Sequence, residues 1–194
     1  MPRMTLLVID MLNDFFRHHA HLAEQRRCLV FSINTLAEAF RHHDQPVIWI
    51  RQEFAPDLSD AFLEMRKHNL RVTIAGTEGC QILQELDQRP TDKTIVKKRY
   101  SAFFGTELDE TLRLLEPDLL VVAGINTHAC VRTTVIDAYQ RDYEIVLATE
   151  CIASYDEAHH EITKHYLDGA IARLLPNNTI IKMLAEDLPP SFVS

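Results

Sequence analysis

The sequence predicts an α/β protein with a mainly parallel sheet covered by helices on both faces. Three observations carry that expectation. Short runs rich in Val, Leu and Ile recur along the chain, stretches of helix length separate them, and Leu119–Gly124 is apolar without alternation. A strand buried on both faces reads that way, and strands joined through helices form βαβ units. No internal repeat or low-complexity segment breaks the pattern.

The elements follow in order. A first strand is expected at Thr5–Ile9, ending in Asp10, then a helix at Leu22–His43 and a second strand at Pro46–Ile50. Gln52–Gly79 holds no clear core element, only Pro56, Asp57 and an amphipathic piece near Ala61–Met65. Long insertions of this kind serve as lids or substrate loops. A helix at Cys80–Leu86 leads to a third strand at Thr94–Val96, which runs into Lys97. Next come a helix at Thr106–Leu115, the strand Leu119–Gly124 and a helix at Ala129–Arg141, where Val131, Val135, Ala138 and Tyr139 can share one face. A fifth strand at Glu144–Ala148, a helix at Ala158–Leu174 and a sixth strand at Thr179–Met183 complete the series. The expected organisation is a single domain over residues 1–194, with a substrate loop at 52–79 and a loose tail from about 188, where Pro189-Pro190 stand.

Bulk composition narrows the function. The chain has 194 residues, 46% hydrophobic and 25% charged, an ordinary soluble balance with enough length for a sizeable core. A net charge of −8 without any Lys/Arg-rich run argues against nucleic acid as a partner. No apolar run approaches membrane-spanning length, and Met1-Pro2-Arg3-Met4 leads straight into the first strand, so no membrane partner and a cytoplasmic location are expected. Cys28, Cys80, Cys130 and Cys151 show no paired spacing and read as free thiols.

Open parallel sheets bind ligands beyond the carboxyl ends of their strands. Three such ends carry reactive groups. Asp10 closes an apolar strand, where desolvation pushes a carboxyl towards acid or base use; the plainer reading is a turn former or helix cap. Lys97 can pair with Asp10 and hold a thiolate, or be a solvated charge. Cys130 stands at a helix start, where open N–H groups favour thiolate over thiol, or it is a small buried residue. Each plain reading suffices alone, and none explains why an acid/base, a cation and a thiol coincide.

Three blocks carry a resemblance. They are Leu7-Val8-Ile9-Asp10-Met11-Leu12-Asn13-Asp14-Phe15-Phe16, then Lys97-Lys98-Arg99-Tyr100-Ser101-Ala102-Phe103, then Gly124-Ile125-Asn126-Thr127-His128-Ala129-Cys130-Val131. In this order and spacing the chain resembles the isochorismatase-like cysteine hydrolases, which include nicotinamidases, N-carbamoylsarcosine amidases and ureidoacrylate hydrolases. The resemblance implies a three-layer α/β/α sandwich with a Rossmann-like six-stranded sheet. It puts the catalytic residues on Asp10, Lys97 (Lys98 being the alternative) and Cys130. It also implies a cis peptide between Ile125 and Asn126, with the Asn126 and Cys130 amides as the oxyanion hole. The activity it implies is cleavage of a small amide, ureide or N-carbamoyl compound through a thioester, by a homo-oligomer, dimeric or tetrameric. Isochorismatases proper cleave a vinyl ether and lack this cysteine, so Cys130 points away from that reaction.

One departure matters. Nicotinamidases of this family bind a metal through an Asp-x-His motif and a further His after the second strand. Here the region reads Arg51-Gln52-Glu53-Phe54-Ala55-Pro56-Asp57, and His68 is the only histidine between His43 and His128. No metal and no cofactor are therefore expected. His18, His19, His21, His159, His160 and His165 lack Cys or carboxylate partners at ligand spacing and read as a solvated face. Ser101 reads as a turn cap or a support for Lys97. Expected substrate contacts are Phe16, Gln52, Phe103, His128 and Tyr155, with core burial the rival reading for Phe103. Arg51, Gln52, Arg99 and Arg132 are candidates to clamp a substrate carboxylate. Two other functions compete: an idle relative acting as a binding or assembly module, and a thiol redox protein pairing Cys130 with Cys151.

Overall fold

The computed structural model describes residues 2–186. Its sheet has six parallel strands: β1 (Met4–Ile9), β2 (Val47–Gln52), β3 (Lys93–Lys97), β4 (Leu119–Ile125), β5 (Ile145–Ala153) and β6 (Arg173–Leu175), in the spatial order β3-β2-β1-β4-β5-β6. Because successive side chains point to opposite faces, each central strand feeds two cores. Leu6, Val8, Trp49, Val121 and Ala123 pack on one face against helices α2 (Ala20–His42) and α7 (Asn177–Glu186). Leu7, Ile9, Ile50, Leu120 and Val122 pack on the other, against α4 (Leu108–Leu115), α5 (Arg132–Tyr139) and α6 (Glu157–Leu167). The result is the three-layer α/β/α sandwich the sequence predicts.

Two expected elements are replaced. Thr179–Met183, whose β-branched residues suggest a strand, lies within α7, where Ile180, Met183 and Leu184 are buried at helical spacing. The sixth strand is instead the three-residue β6, paired with Val146–Ala148. Cys80–Leu86 is not a helix. Only a 3-10 turn at Glu78–Cys80 forms, and Leu83 and Leu86 enter the first core from irregular chain, which imitates helical periodicity. Two short helices were not expected from the sequence, α1 (Asn13–His18) and α3 (Leu63–His68). The helix expected at Ala158–Leu174 stops at Leu167, and β5 runs on past Ala148 through a register shift opposite Val122/Gly124. That shift lets the polar Thr149-Glu150 pair leave the core, and the Glu150 carboxylate accepts from the Asn177 N–H at the start of α7.

The expected substrate loop builds a small core of its own. Phe54, Leu58, Ala61 and Ile74 are buried together, with Phe62 and Met65 of the α3 region packed on them. Asp14 of α1 accepts a hydrogen bond from the Thr73 N–H at 2.7 Å, and Gly79 leaves the space its carboxylate occupies. The tail from about 188 lies outside the described residues. Among those described, no helix is long and apolar enough to cross a membrane.

Candidate active site

Strand register brings the reactive groups together. Ile9 pairs with Ile50 and Gly124, and Gln52 pairs with Lys97, so β1, β2, β3 and β4 end side by side. Gly124, at φ +109°, makes this possible, because a Cβ there would collide with the Ile9 carbonyl. Asp10 follows β1 in the left-handed region, at φ 54°, a conformation that aspartate tolerates better than most residues. The peptide between Ile125 and Asn126 is cis. Residues Thr127–Val131 form a π-helical turn leading into α5, and Cys130 sits in that turn.

Asp10 and Lys97 are fully buried, with the Lys97 Nζ 2.7 Å from Asp10 Oδ2. The same ammonium donates to Cys130 Sγ at 3.3 Å and to the Arg99 carbonyl at 3.0 Å. Asp10 Oδ1 accepts from the Gln52 backbone N–H at 2.7 Å. Burial by itself would lower the Lys97 pKa; Asp10 and Cys130 more than offset this and raise it, so Lys97 is a fixed cation. Lys98 points the other way, to Asp60 at 3.0 Å, which separates the two lysines.

The thiol differs from the sequence expectation. Burial pushes Cys130 up to about 12; Lys97 opposes the shift and the Asp10 carboxylate adds to it. The resting group is a thiol beside a carboxylate, not a preformed thiolate, because desolvation outweighs the single cation and the helix end.

A cleft of about 510 Å³ opens over Cys130, bounded by Gln52, Asn126 and Tyr155 together with Phe15, Phe62 and Tyr100. Of the expected substrate contacts, Gln52 and Tyr155 line it. Phe16 and Phe103 do not: Phe16 is buried in the first core, and Phe103 in the second, beneath the Arg141 guanidinium at 4.4 Å. His128 stands behind Tyr155, edge-on to its ring at 4.9 Å, and is hydrogen-bonded to Ser154 Oγ at 2.5 Å. His19 stacks on the same tyrosine at 4.2 Å. Ser101 Oγ accepts from the Phe103 N–H at 3.1 Å and so caps its turn.

Sequence reasoning missed Phe15, Phe62 and Tyr100 as cleft residues. The available signal was the amphipathic piece near Ala61–Met65, inside the loop already singled out. Cys151 is buried in the first core and Cys130 in the second, so the sheet stands between them and they are no redox pair. Among the described residues, no three His, Cys, Asp or Glu side chains gather as a metal-binding group.

Comparison with known proteins identifies the family. The profile of the isochorismatase domain matches residues 4–177. A probable inactive nicotinamidase of Arabidopsis thaliana is 34% identical over 157 residues, covering 77% of this chain and 80% of that protein. The crystal structure of an isochorismatase family protein from Desulfovibrio vulgaris superposes with a TM-score of 0.84 at 26% identity, over 96% of this chain and 100% of that one. N-carbamoylsarcosine amidase from Thermoplasma acidophilum superposes with a TM-score of 0.77 at 27% identity, over 91% and 98%. With the domain profile matched over residues 4–177 and the six-stranded parallel sheet shared with a solved relative, this chain belongs to the isochorismatase family of hydrolases.

Proposed function

We propose that this protein is a cysteine amidohydrolase that cleaves the C–N bond of a small amide, ureide or N-carbamoyl compound through a thioester. The observation that carries the reading is the Lys97 ammonium, wholly buried between Asp10 at 2.7 Å and Cys130 at 3.3 Å. A buried charged cluster costs desolvation energy, and a buried thiol needs no ammonium for packing.

In this reading Asp10 takes the thiol proton as Cys130 Sγ bonds to the carbonyl carbon. The C=O electron pair moves to oxygen, held by the Asn126 and Cys130 N–H groups. Lys97 keeps its charge and offsets the negative charge as it passes between carboxylate and sulfur. When the carbonyl reforms, the C–N bond breaks and Asp10 returns its proton to the departing amine. Water, giving a proton to Asp10, then attacks the thioester, and the C–S bond breaks to restore the thiol. A Cys130 thiol pushed up to about 12 suits this sequence, because proton transfer to Asp10 accompanies attack and does not precede it.

The relative described as probably inactive favours a second reading, an idle binding module. Ammonia release from a panel of small amides and ureides, compared between the wild type and Cys130→Ala, separates the two. Release that depends on Cys130 is expected. A panel with no such release would favour the idle module.

A further inference from the structure

The cleft above Cys130 has a chemical character that narrows the substrate class, given the amidohydrolase reading. Its walls are Phe15, Phe62, Met65, Val72, Tyr100 and Tyr155, all aromatic or aliphatic in body. Among the described residues, no Lys, Arg or His lines it. Arg51 is held by Glu53 at 2.9 Å, and Arg99 donates to the Asp60 and Lys98 carbonyls and lies over the Phe62 ring, 5.3 Å from its centre. Arg132 lies over Tyr166, 4.6 Å away, and Lys98 is paired with Asp60. None of the four lines the cleft. Lys97 is beneath the floor and matched by Asp10. Among the described residues the one charged side chain on the wall is Glu64, whose carboxylate meets Lys67 at 2.8 Å and His68 at 3.2 Å.

Among the described residues that line the cleft, one buried side-chain polar atom lacks a hydrogen-bond partner. Gln52 lines the cleft and is 5% exposed, and its side-chain Nε2 is buried without a hydrogen-bond partner. A buried donor left unpaired costs about 1–3 kcal/mol, and a ligand that supplies an acceptor recovers it. A carboxylate entering the same cleft would lose its hydration and meet no cation.

We propose that the cleft selects an uncharged amide with a flat hydrophobic body, which lies against Phe62, Tyr100 and Tyr155 and offers one acceptor atom to Gln52 Nε2, and that it turns away amides bearing a carboxylate. The placement of charge decides this: Arg51, Arg99 and Arg132, the arginines suited to a carboxylate clamp, are engaged elsewhere.

The test is alkylation of Cys130 by two reagents with the same warhead, N-phenyl iodoacetamide and N-(4-carboxyphenyl) iodoacetamide. Rates are read by peptide mapping and normalised to each reagent's rate with glutathione. The neutral reagent is expected to label Cys130 at least about tenfold faster, the factor that corresponds to about 1.4 kcal/mol. Equal rates, or faster labelling by the carboxylate, would overturn the substrate class and leave the amidohydrolase reading standing. If neither labels Cys130 while the exposed Cys28 reacts, the nucleophile reading itself falls. Met65→Lys supplies the missing cation at the wall and is expected to narrow or reverse the preference; an unchanged ratio would count against the charge argument. Gln52→Leu, checked for folding by its thermal midpoint, is expected to weaken protection of Cys130 by benzamide about tenfold. Undiminished protection would remove Gln52 from the subsite.

Discussion

The two ends of the sheet each hold a carboxylate beside a cation, and they use it differently. At the amino end Asp92, just before β3, accepts from Arg41 Nη2 at 2.5 Å, from the Trp49 indole at 2.9 Å and from the Arg89 N–H at 2.9 Å. It borders a cavity of about 610 Å³ that contains none of the reactive side chains. At the carboxyl end Asp10 has one backbone donor, one ammonium and a neighbouring thiol that can exchange a proton. Saturation makes a carboxylate an anchor, whereas a carboxylate facing a protonated sulfur has somewhere to move charge. Cavity size does not tell the two ends apart; the hydrogen-bond inventory does.

The sharpest way to break the comparison is to delete one group at each end. Under the proposed mechanism Cys130→Ala should lower amide hydrolysis by at least about 10³-fold, since residues that act as a unit lose most of their effect together. Asp92→Ala should leave turnover per folded molecule within about threefold, because distant sites contribute independently. Ammonia release with active-site titration measures both. Loss of turnover in the Asp92 variant at full folding would erase the distinction.

Stability should show the opposite ranking. The Asp92 and Arg41 side chains are 5% and 11% exposed, and removing one member of such a pair strands the other. Asp92→Ala should cost about 3–5 kcal/mol in urea unfolding. The acid limb gives the sign. Burial alone would raise the Asp92 pKa, but Arg41, the Arg89 N–H and Trp49 outweigh it and the net shift is downward. A lowered carboxylate contributes stability above its unfolded value of about 3.9, and that contribution is lost as pH falls through the folded value. Stability measured from pH 7 down to acid should therefore fall less steeply in Asp92→Asn than in the wild type; an unchanged slope would mean that Asp92 is not the anchor.

Much of the carboxyl end was legible in the sequence because parallel strands report their own ends. Apolar runs stop at Asp10, Lys97 and Gly124, and register does the rest. The thiol's protonation was not legible, since a helix start and a lysine both argue for thiolate, and only packing reveals the desolvation that outweighs them. Phe15 and Phe16 show the same limit. Adjacent residues on a helix stand only about 100° apart; both pack on the first core, and the sequence cannot say that Phe16 is the one fully buried while Phe15 also reaches the cleft. The α7 segment misled because Ile180 and Ile181 favour strands locally while the buried Ile180, Met183 and Leu184 follow a helical period.

The proton on Cys130 offers a finer test of how Asp10 differs from a saturated anchor. Asp10 raises the Cys130 pKa and Lys97 lowers it. Asp10→Asn should therefore move the pH profile of Cys130 alkylation downward from about 12 even as it removes amide hydrolysis. An upward move would mean that Asp10 does not face the sulfur as an anion.

The smallest effect concerns the cleft mouth. Tyr155 lines the cleft, stacks on His19 and meets His128 edge-on, so its ring is held from two sides. Burial lowers the pKa of both histidines, with His18 adding to the shift at His19 and His159 to that at His128. Both shifts favour the neutral ring, so packing holds the tyrosine from either side. A side chain that packs against substrate without touching the breaking bond contributes equally to ground and transition states. Tyr155→Ala should then raise KM by about three- to tenfold and change kcat less, the reverse of the Cys130→Ala pattern. A fall in kcat at constant KM would mean that the ring acts on the reacting atoms, and would extend the reactive end of the sheet as far as the cleft mouth.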